Sequence, residues 1–462
     1  MSTSSPSSAT SQGTGTTPDL TAVASRVVER AGAGEQIEVA VGRSSSTSVR
    51  AYDGDVESFT SAETAGVGIR VVVDGRVGFA NAGSLDDDVI ADALAEARDN
   101  ATFAEPDRWA GLAEPDGVAA TPIDLWNEAV LELGAEAKID LALGLERAAR
   151  GSDSRVTGVR TSVYGDSAAE LAVASTAGLV SSTRATSCWL SVSALAADAA
   201  GTQTGYGVDA GRDPSALDVD GTGRLAAERA CRLLGATKAP SQRLPILLEP
   251  RLAATLMGLI AGTLTGDVVV RGRSPFADRM GDTIASPLLT LVDDPTDPRS
   301  LGAGSVDGEG LACRRNVLID GGDLRTFLHD SYTGRRSGTA STGSAVRGAR
   351  STPAPGVQAM AVEPGERGWD DLVAGTERGL VVQSLNGLHS GVNAVSGDFS
   401  VGAEGLMVRD GELAEPVREV TLGSTLQRLL LDVIAVGRDV EWLPSGTGAP
   451  ALVIGDVAMS GS

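Results

Sequence analysis

Apolar positions along the chain recur at two spacings, and the switches between them mark out its elements. Leu20, Val23, Val27, Val28 and Ala31 fall at helical intervals up to Gly32, and the Thr17-Pro18 pair just before them is of the kind that caps and opens a helix. Residues 37–41 and 68–73 then read as strands. The second runs into Asp74-Gly75 and on into 76–80, which predicts a tight type I′ hairpin. Ser84, with Asp87 three positions on, predicts a capping box for a helix carrying Val89, Ile90, Ala93, Leu94 and Ala97.

After a Pro-containing connection over 105–122, residues 131–149 read as a helix. Segments 156–164, 171–175 and 188–196 alternate apolar with polar residues, as half-buried antiparallel strands do. A helix over 225–234 ends at Gly235, and Ala239-Pro240 marks a boundary. Beyond it come an apolar strand over 244–248, a helical run over 251–264, and β-rich sequence with turns at Gly321-Gly322 and Asp410-Gly411. Residues 334–356 are polar and rich in Gly, Ser and Thr, and a loop of that length inside a compact domain is usually functional or mobile. The fold class this predicts is α+β: one or more N-terminal α/β domains followed by a C-terminal domain rich in antiparallel β-sheet. The division expected is a disordered tail over 1–18, an N-terminal α+β domain over 19–122, a middle α+β segment over 123–240 packed with it, and a β-rich domain over 241–462.

Composition narrows the function. The net charge of −23 would repel a polyphosphate backbone, and the densest basic stretch, Arg335, Arg336, Arg347 and Arg350, has few aromatic neighbours for base stacking. Nucleic acid is therefore not an expected partner, and that stretch reads as a solvated or substrate-facing loop. No window approaches the roughly 20 apolar residues of a membrane span, and residues 1–18 lack the basic and apolar parts of a secretory signal. Cys188, Cys231 and Cys313 are widely spaced, with no CxxC pair, so a reducing, cytoplasmic setting is expected.

Candidate chemistry is sparse. His329 and His389 are the two histidines, far apart in sequence, and no pair of potential ligands sits at the helical spacing a catalytic zinc site uses. Each reads first as a hydrogen-bonded structural residue. There is no G-x-S-x-G elbow, no Walker loop and no G-x-G-x-x-G after a strand. Ser390, His389 and Asp398 supply the three group types of a triad, but nearness in sequence does not give triad geometry.

Several stretches resemble the TldD/PmbA family across roughly residues 38–460: GVGIRVVVDGRVGFA from Gly66 to Ala80, Asp293-Asp294-Pro295, the Asp307-Gly308-Glu309-Gly310 turn and GLHSGVNAVSGDFSVGAEG from Gly387 to Gly405. The last is the version typical of the PmbA (TldE) branch. The TldD branch carries His-Glu-x-x-x-His on a helix with a later cysteine as third ligand. Aligned on Leu264, Gly266 and Asp267, those three positions hold Met257, Gly258 and Gly262 here, and no cysteine follows Cys313. The resemblance implies a subunit with no catalytic residue, metal ligand or cofactor of its own, dimerised with a TldD-like zinc-bearing subunit or in a higher assembly with it. The pair is expected to act on small or unfolded peptides, this chain supplying substrate chamber and interface. His389, Ser390, Asn393 and Asp398 are the expected peptide-contacting residues; the same residues also read as a turn cluster fixing a loop. The alternative is a stand-alone homodimeric protein that holds peptides without hydrolysing them.

Overall fold

The computed structural model describes residues 18–199 and 201–461, so the tail expected over 1–18 lies outside the described residues except for Pro18. The N-terminal half is built on one six-stranded antiparallel sheet. Its strands are β1 (Gln36–Tyr52), β2 (Asp55–Val73), β3 (Arg76–Ala82), β4 (Val156–Ser175), β5 (Val180–Asp198) and β6 (Gly201–Gly211), in the order β3-β2-β1-β4-β5-β6. Asp74 and Gly75 both take positive φ, 49° and 73°, as a type I′ turn requires, and Asp53-Gly54 repeats the device between β1 and β2 at 55° and 82°. The strand pieces expected over 156–164 and 171–175 are parts of the single strand β4.

Helices cover one face of this sheet. Helices α1 (Leu20–Val28) and α2 (Asp87–Phe103) pack on one end around Ile37, Val39, Val41, Ile69 and Val71. Helices α3 (Ala129–Glu132), α4 (Ala135–Gly151) and α5 (Val219–Arg232) follow, and α4 and α5 cover the other end around Val49, Tyr164, Leu190 and Val192. Between the two apolar clusters the same face is polar: Arg43 holds Glu170 through two bonds of 2.8 Å, and Lys138 Nζ sits 2.6 Å from Asp166.

Three local expectations change in detail. Asp19 caps α1, accepting from the amides of Thr21 and Ala22, and Thr17, the cap expected from sequence, lies outside the described residues. Ser84 bonds Asp86 instead of closing a box with Asp87. The helix expected over 131–149 is broken at Leu133-Gly134, where both residues turn extended.

The C-terminal half is a small barrel. Strand β7 (Gln242–Leu248) pairs with Arg378–Asn386 and Leu452–Ser460, the chain continues through Asp398–Arg409 to Glu412–Thr425, and pairing of residues 421–423 with 458–460 closes the ring. Helix α6 (Pro250–Gly262), opened by Pro250 in its first turn, lies between this barrel and a second sheet that includes Leu291–Asp293 and Met360–Val362. Its apolar positions, among them Leu252, Leu256, Met257 and Ile260, are buried in the largest core cluster. Among the described residues no helix is long and apolar enough to cross a membrane.

Candidate functional site at the open sheet face and the buried seam

The face of the N-terminal sheet opposite the helices is only partly covered. Residues 38, 40 and 42 of β1 and 66, 68 and 70 of β2 point to this face, and the C-terminal half seats a loop upon them. Three of them are glycines that permit the approach. A Cβ on Gly68 would stand 2.5 Å from the Ala349 carbonyl oxygen, one on Gly42 would stand 2.9 Å from Ala349 Cβ, and one on Gly66 would stand 2.8 Å from the Arg350 side chain. The basic stretch expected as a solvated or substrate-facing loop divides here: Arg335 and Arg347 are spent on the N-terminal half, while Arg336 and Arg350 stay exposed. Arg335 donates to the carbonyl oxygens of Trp109, Gly111 and Leu112, and Arg347 is buried against Glu38.

At the seam the buried charges form one network. Glu38 accepts from Arg347 Nη1 at 2.6 Å and from Arg70 Nη2 at 2.8 Å, while Arg70 also lies 3.8 Å from Glu309. Glu309 Oε2 accepts the Ser331 amide at 2.8 Å, but its Oε1, like Arg70 Nε and Arg347 Nε, is buried without a hydrogen-bond partner among the described residues. Burial, with the charges of Glu38, Asp307 and Asp330 adding to it against Arg70, pushes the Glu309 carboxyl up to about 7. Burial also lifts Asp307 to about 6, although its two oxygens accept from the amides of Glu309, Leu311 and Ala345.

Past this seam the face is open and lined by short side chains. Ser44, Ser46 and Ser48 of β1, Thr60 and Thr64 of β2, Ser167 of β4 and Ser187 of β5 lie on it, exposed or half-buried. Two hydroxyl pairs bridge strands, Ser44 with Thr64 at 2.8 Å and Ser167 with Ser187 at 2.9 Å. A groove of about 550 Å³ runs where the open face meets the loop, lined by Ser44, Thr64, Arg43, Arg350 and Ser351 among others. Such a surface presents donors and acceptors without bulk, which suits an extended peptide lying flat on it.

The residues singled out in sequence lie elsewhere, together on one exposed loop of the barrel. Ser390 Oγ donates to the Gly387 carbonyl at 3.3 Å. Asn393 Oδ1 accepts the amides of Val395 and Ser396, and Asp398 accepts the Ser396 hydroxyl at 2.6 Å. His389 is exposed beside them. These bonds fix the turn and do not link His389, Ser390 and Asp398 into a relay. His329 is buried, with Nδ1 3.2 Å from Thr333 Oγ1, and burial lowers its pKa.

The seam residues were missed as a site. The signal was a charge inside an apolar strand, Glu38 in IEVAV and Arg70 in GIRVVV, on the face away from the helices; once a second layer covers that face, each charge demands a buried partner.

Comparison with known proteins accounts for this architecture. Family models described as PmbA/TldA metallopeptidase domain 1, central domain and C-terminal domain match residues 37–101, 128–234 and 241–461. The chain belongs to the PmbA/TldD metallopeptidase family. It is 28% identical to the metalloprotease PmbA of Escherichia coli O157:H7 over 423 residues, 91% of either chain. To a metalloprotease TldD homolog of Haemophilus influenzae it is 29% identical over 360 residues, 71% of this chain and 73% of the other. Among solved structures, TldE from Thermococcus kodakarensis superimposes with a TM-score of 0.86 at 25% identity, covering 92% of this chain and 97% of that one. A Thermotoga maritima protein reaches a TM-score of 0.88 at 26% identity, covering 95% and 99%.

Metallopeptidase membership implies a metal, and the residues at the aligned positions on α6 do not fit one. Met257 is fully buried in the barrel core, and Gly258 and Gly262 carry no donor atom. Among the described residues no three His, Cys, Asp or Glu side chains gather in a ligand-like group. Of the seam acids, Glu38 is committed to two arginines and Asp307 to backbone amides, while Glu309 holds the Ser331 amide through one oxygen.

Proposed function

We propose that this chain is the metal-free partner subunit of a TldD/TldE-type zinc peptidase, contributing chamber wall and interface for small or unfolded peptides. The observation that carries the reading is helix α6, whose apolar face, Met257 included, is sealed in the core where a hydrolytic ion would need nitrogen and oxygen donors. Similarity to PmbA over 91% of the chain, against 71% for the TldD homolog, supports the PmbA (TldE) branch. The open hydroxyl face supports the chamber role. A chain without a Lewis acid still contributes by holding a peptide in a reactive geometry and keeping it there.

The test is co-expression with a TldD-like subunit, separation of the two, and metal and peptidase assays on each alone and on the mixture. The expected result is zinc in the partner only and cleavage only by the mixture. Stoichiometric zinc in this chain, or cleavage by this chain alone, would overturn the proposal; failure to associate would favour the stand-alone homodimer.

A further inference from the structure

One edge of the N-terminal sheet is left without a strand. β2 spans 19 residues, but β3 pairs only with residues 67–73 of it, so on that side residues 57–65 have no neighbour among the described residues. Residues 57–64 are exposed on both faces of the sheet, Phe59 at 42%. Natural sheets blunt such edges with proline, lysine or bulges. A register shift sits at Glu57, but the segment 58–65 beyond it contains no proline, no lysine and no further shift, and Glu63 is the one charge it carries.

The point where β3 stops is marked by a free cation. Ala82 of β3 pairs with Val67. Arg350 lies beside that point, its side chain 2.8 Å from a Cβ built on Gly66 and its Nη1 3.5 Å from one built on Gly83. Arg43 and Arg347 in the same groove are held by Glu170 and Glu38, whereas exposed Arg350 has no ion pair or hydrogen bond among the described residues. An unpaired guanidinium at the end of an open strand edge matches a carboxylate at the end of an extended chain.

We infer that residues 57–65 of β2 accept an extended peptide as an added strand, with the peptide's C-terminal carboxylate on Arg350. Residue numbers in β2 rise toward Arg350, so a strand ending there runs parallel to β2. Glu63 lies beyond the register shift at Glu57, while Glu57 is held by Arg50; Glu63 therefore favours a basic side chain opposite it in the ligand. The ligand class deepens the proposed chamber role and rests on it; the docking itself is a property of this chain alone.

The test uses the full chain without any partner. The probe is Thr-Lys-Thr-Val-Thr-Val-Thr-Lys-Thr-Val carrying fluorescein on its amino terminus, followed by anisotropy. Amidating its C-terminus is expected to weaken binding at least tenfold. Arg350→Ala should weaken the free acid equally and abolish the difference between acid and amide. Two further probes, N-methylated on alternate amides in opposite phase, report on backbone pairing, and one of the two should lose binding. No binding at millimolar peptide, equal affinity of acid and amide for the unaltered chain, or full binding by both methylated probes overturns the inference. So does a dimer that Glu63→Lys dissociates while no peptide binds, since a second copy would then own the edge. Zinc content and association with a TldD-like subunit do not enter these readouts, so this inference and the proposed function fail by different results.

Discussion

The seam around Glu38 and the loop around His389 both gather polar side chains, and they differ in what those side chains hold. At the seam Glu38, Arg70, Glu309 and Arg347 are buried and join the N-terminal sheet to the C-terminal half. In the loop Ser390, Asn393 and Asp398 are exposed and bond to their own backbone or near neighbours. Removing one member of a buried pair strands the other in a low-dielectric site, whereas an exposed turn residue is replaced by water. The difference teaches that a conspicuous motif and a structurally decisive cluster need not coincide.

The comparison is broken most directly by Arg347→Ala. Glu38 would keep only Arg70, which also faces Glu309, and the change is expected to destabilise the fold by about 3–5 kcal/mol. Denaturant unfolding of both chains measures it; a loss under about 1 kcal/mol would show that the seam is not what joins the halves.

Next in size is the glycine platform. Gly68→Ala places a methyl 2.5 Å from the Ala349 carbonyl oxygen, backbone that must shift to make room. The expected loss is about 1–3 kcal/mol, with faster proteolysis within 347–351 as the loop lifts. Gly262→Ala is the control, since a Cβ there meets nothing within 4 Å and the methyl should be harmless.

The seam also sets a pH dependence. Glu309, raised to about 7, holds its proton in the folded chain at pH values where the unfolded chain has released it. Its contribution is therefore fully present below the unfolded value near 4.5 and is lost as pH rises through about 7. Asp307 and Asp293, both lifted by burial to about 6, act in the same direction, while His329, lowered by burial, opposes them as pH falls below its ordinary 6.5. Glu309→Gln keeps an acceptor for the Ser331 amide and removes the titration. The difference in unfolding free energy between the unaltered chain and this variant is expected to tilt by up to about 1.4 kcal/mol per pH unit between pH 5 and 7.5. Parallel pH profiles would assign the titration to another group.

What sequence makes legible follows from how local each cause is. The Asp74-Gly75 turn, the strand over 244–248 and helix α6 are determined by a few adjacent residues, and the pattern shows them. β1 and β2 are far longer than the apolar pattern implies. Over residues 43–64 one face is open and the other bears Arg43 and Thr47 between two apolar clusters, so apolar alternation fades while the ladder continues. The cap of α2 lies at Asp86, two residues beyond the one expected, because Ser84 takes the Asp86 amide and carboxylate locally instead of closing a box with Asp87. The pairing of Glu38 with Arg347 has no local cause at all; it exists because the glycines at 42, 66 and 68 let a distant loop reach the sheet.

The smallest effects are expected in the loop, and they decide whether it does more than turn the chain. Asn393→Ala removes the acceptor for the amides of Val395 and Ser396 and should lower stability by about 1 kcal/mol. His389→Ala and Ser390→Ala touch only an exposed imidazole and one 3.3 Å bond, so their unfolding free energies should stay within about 0.5 kcal/mol of the unaltered chain. That near-neutrality makes them clean probes of peptide contact. If the loop meets substrate, the two variants raise the peptide concentration needed for half-maximal cleavage by the assembled peptidase while unfolding is unchanged. If cleavage follows the same concentration dependence in all three, the loop is a structural turn, and the open hydroxyl face is left as the proposed surface for peptide contact.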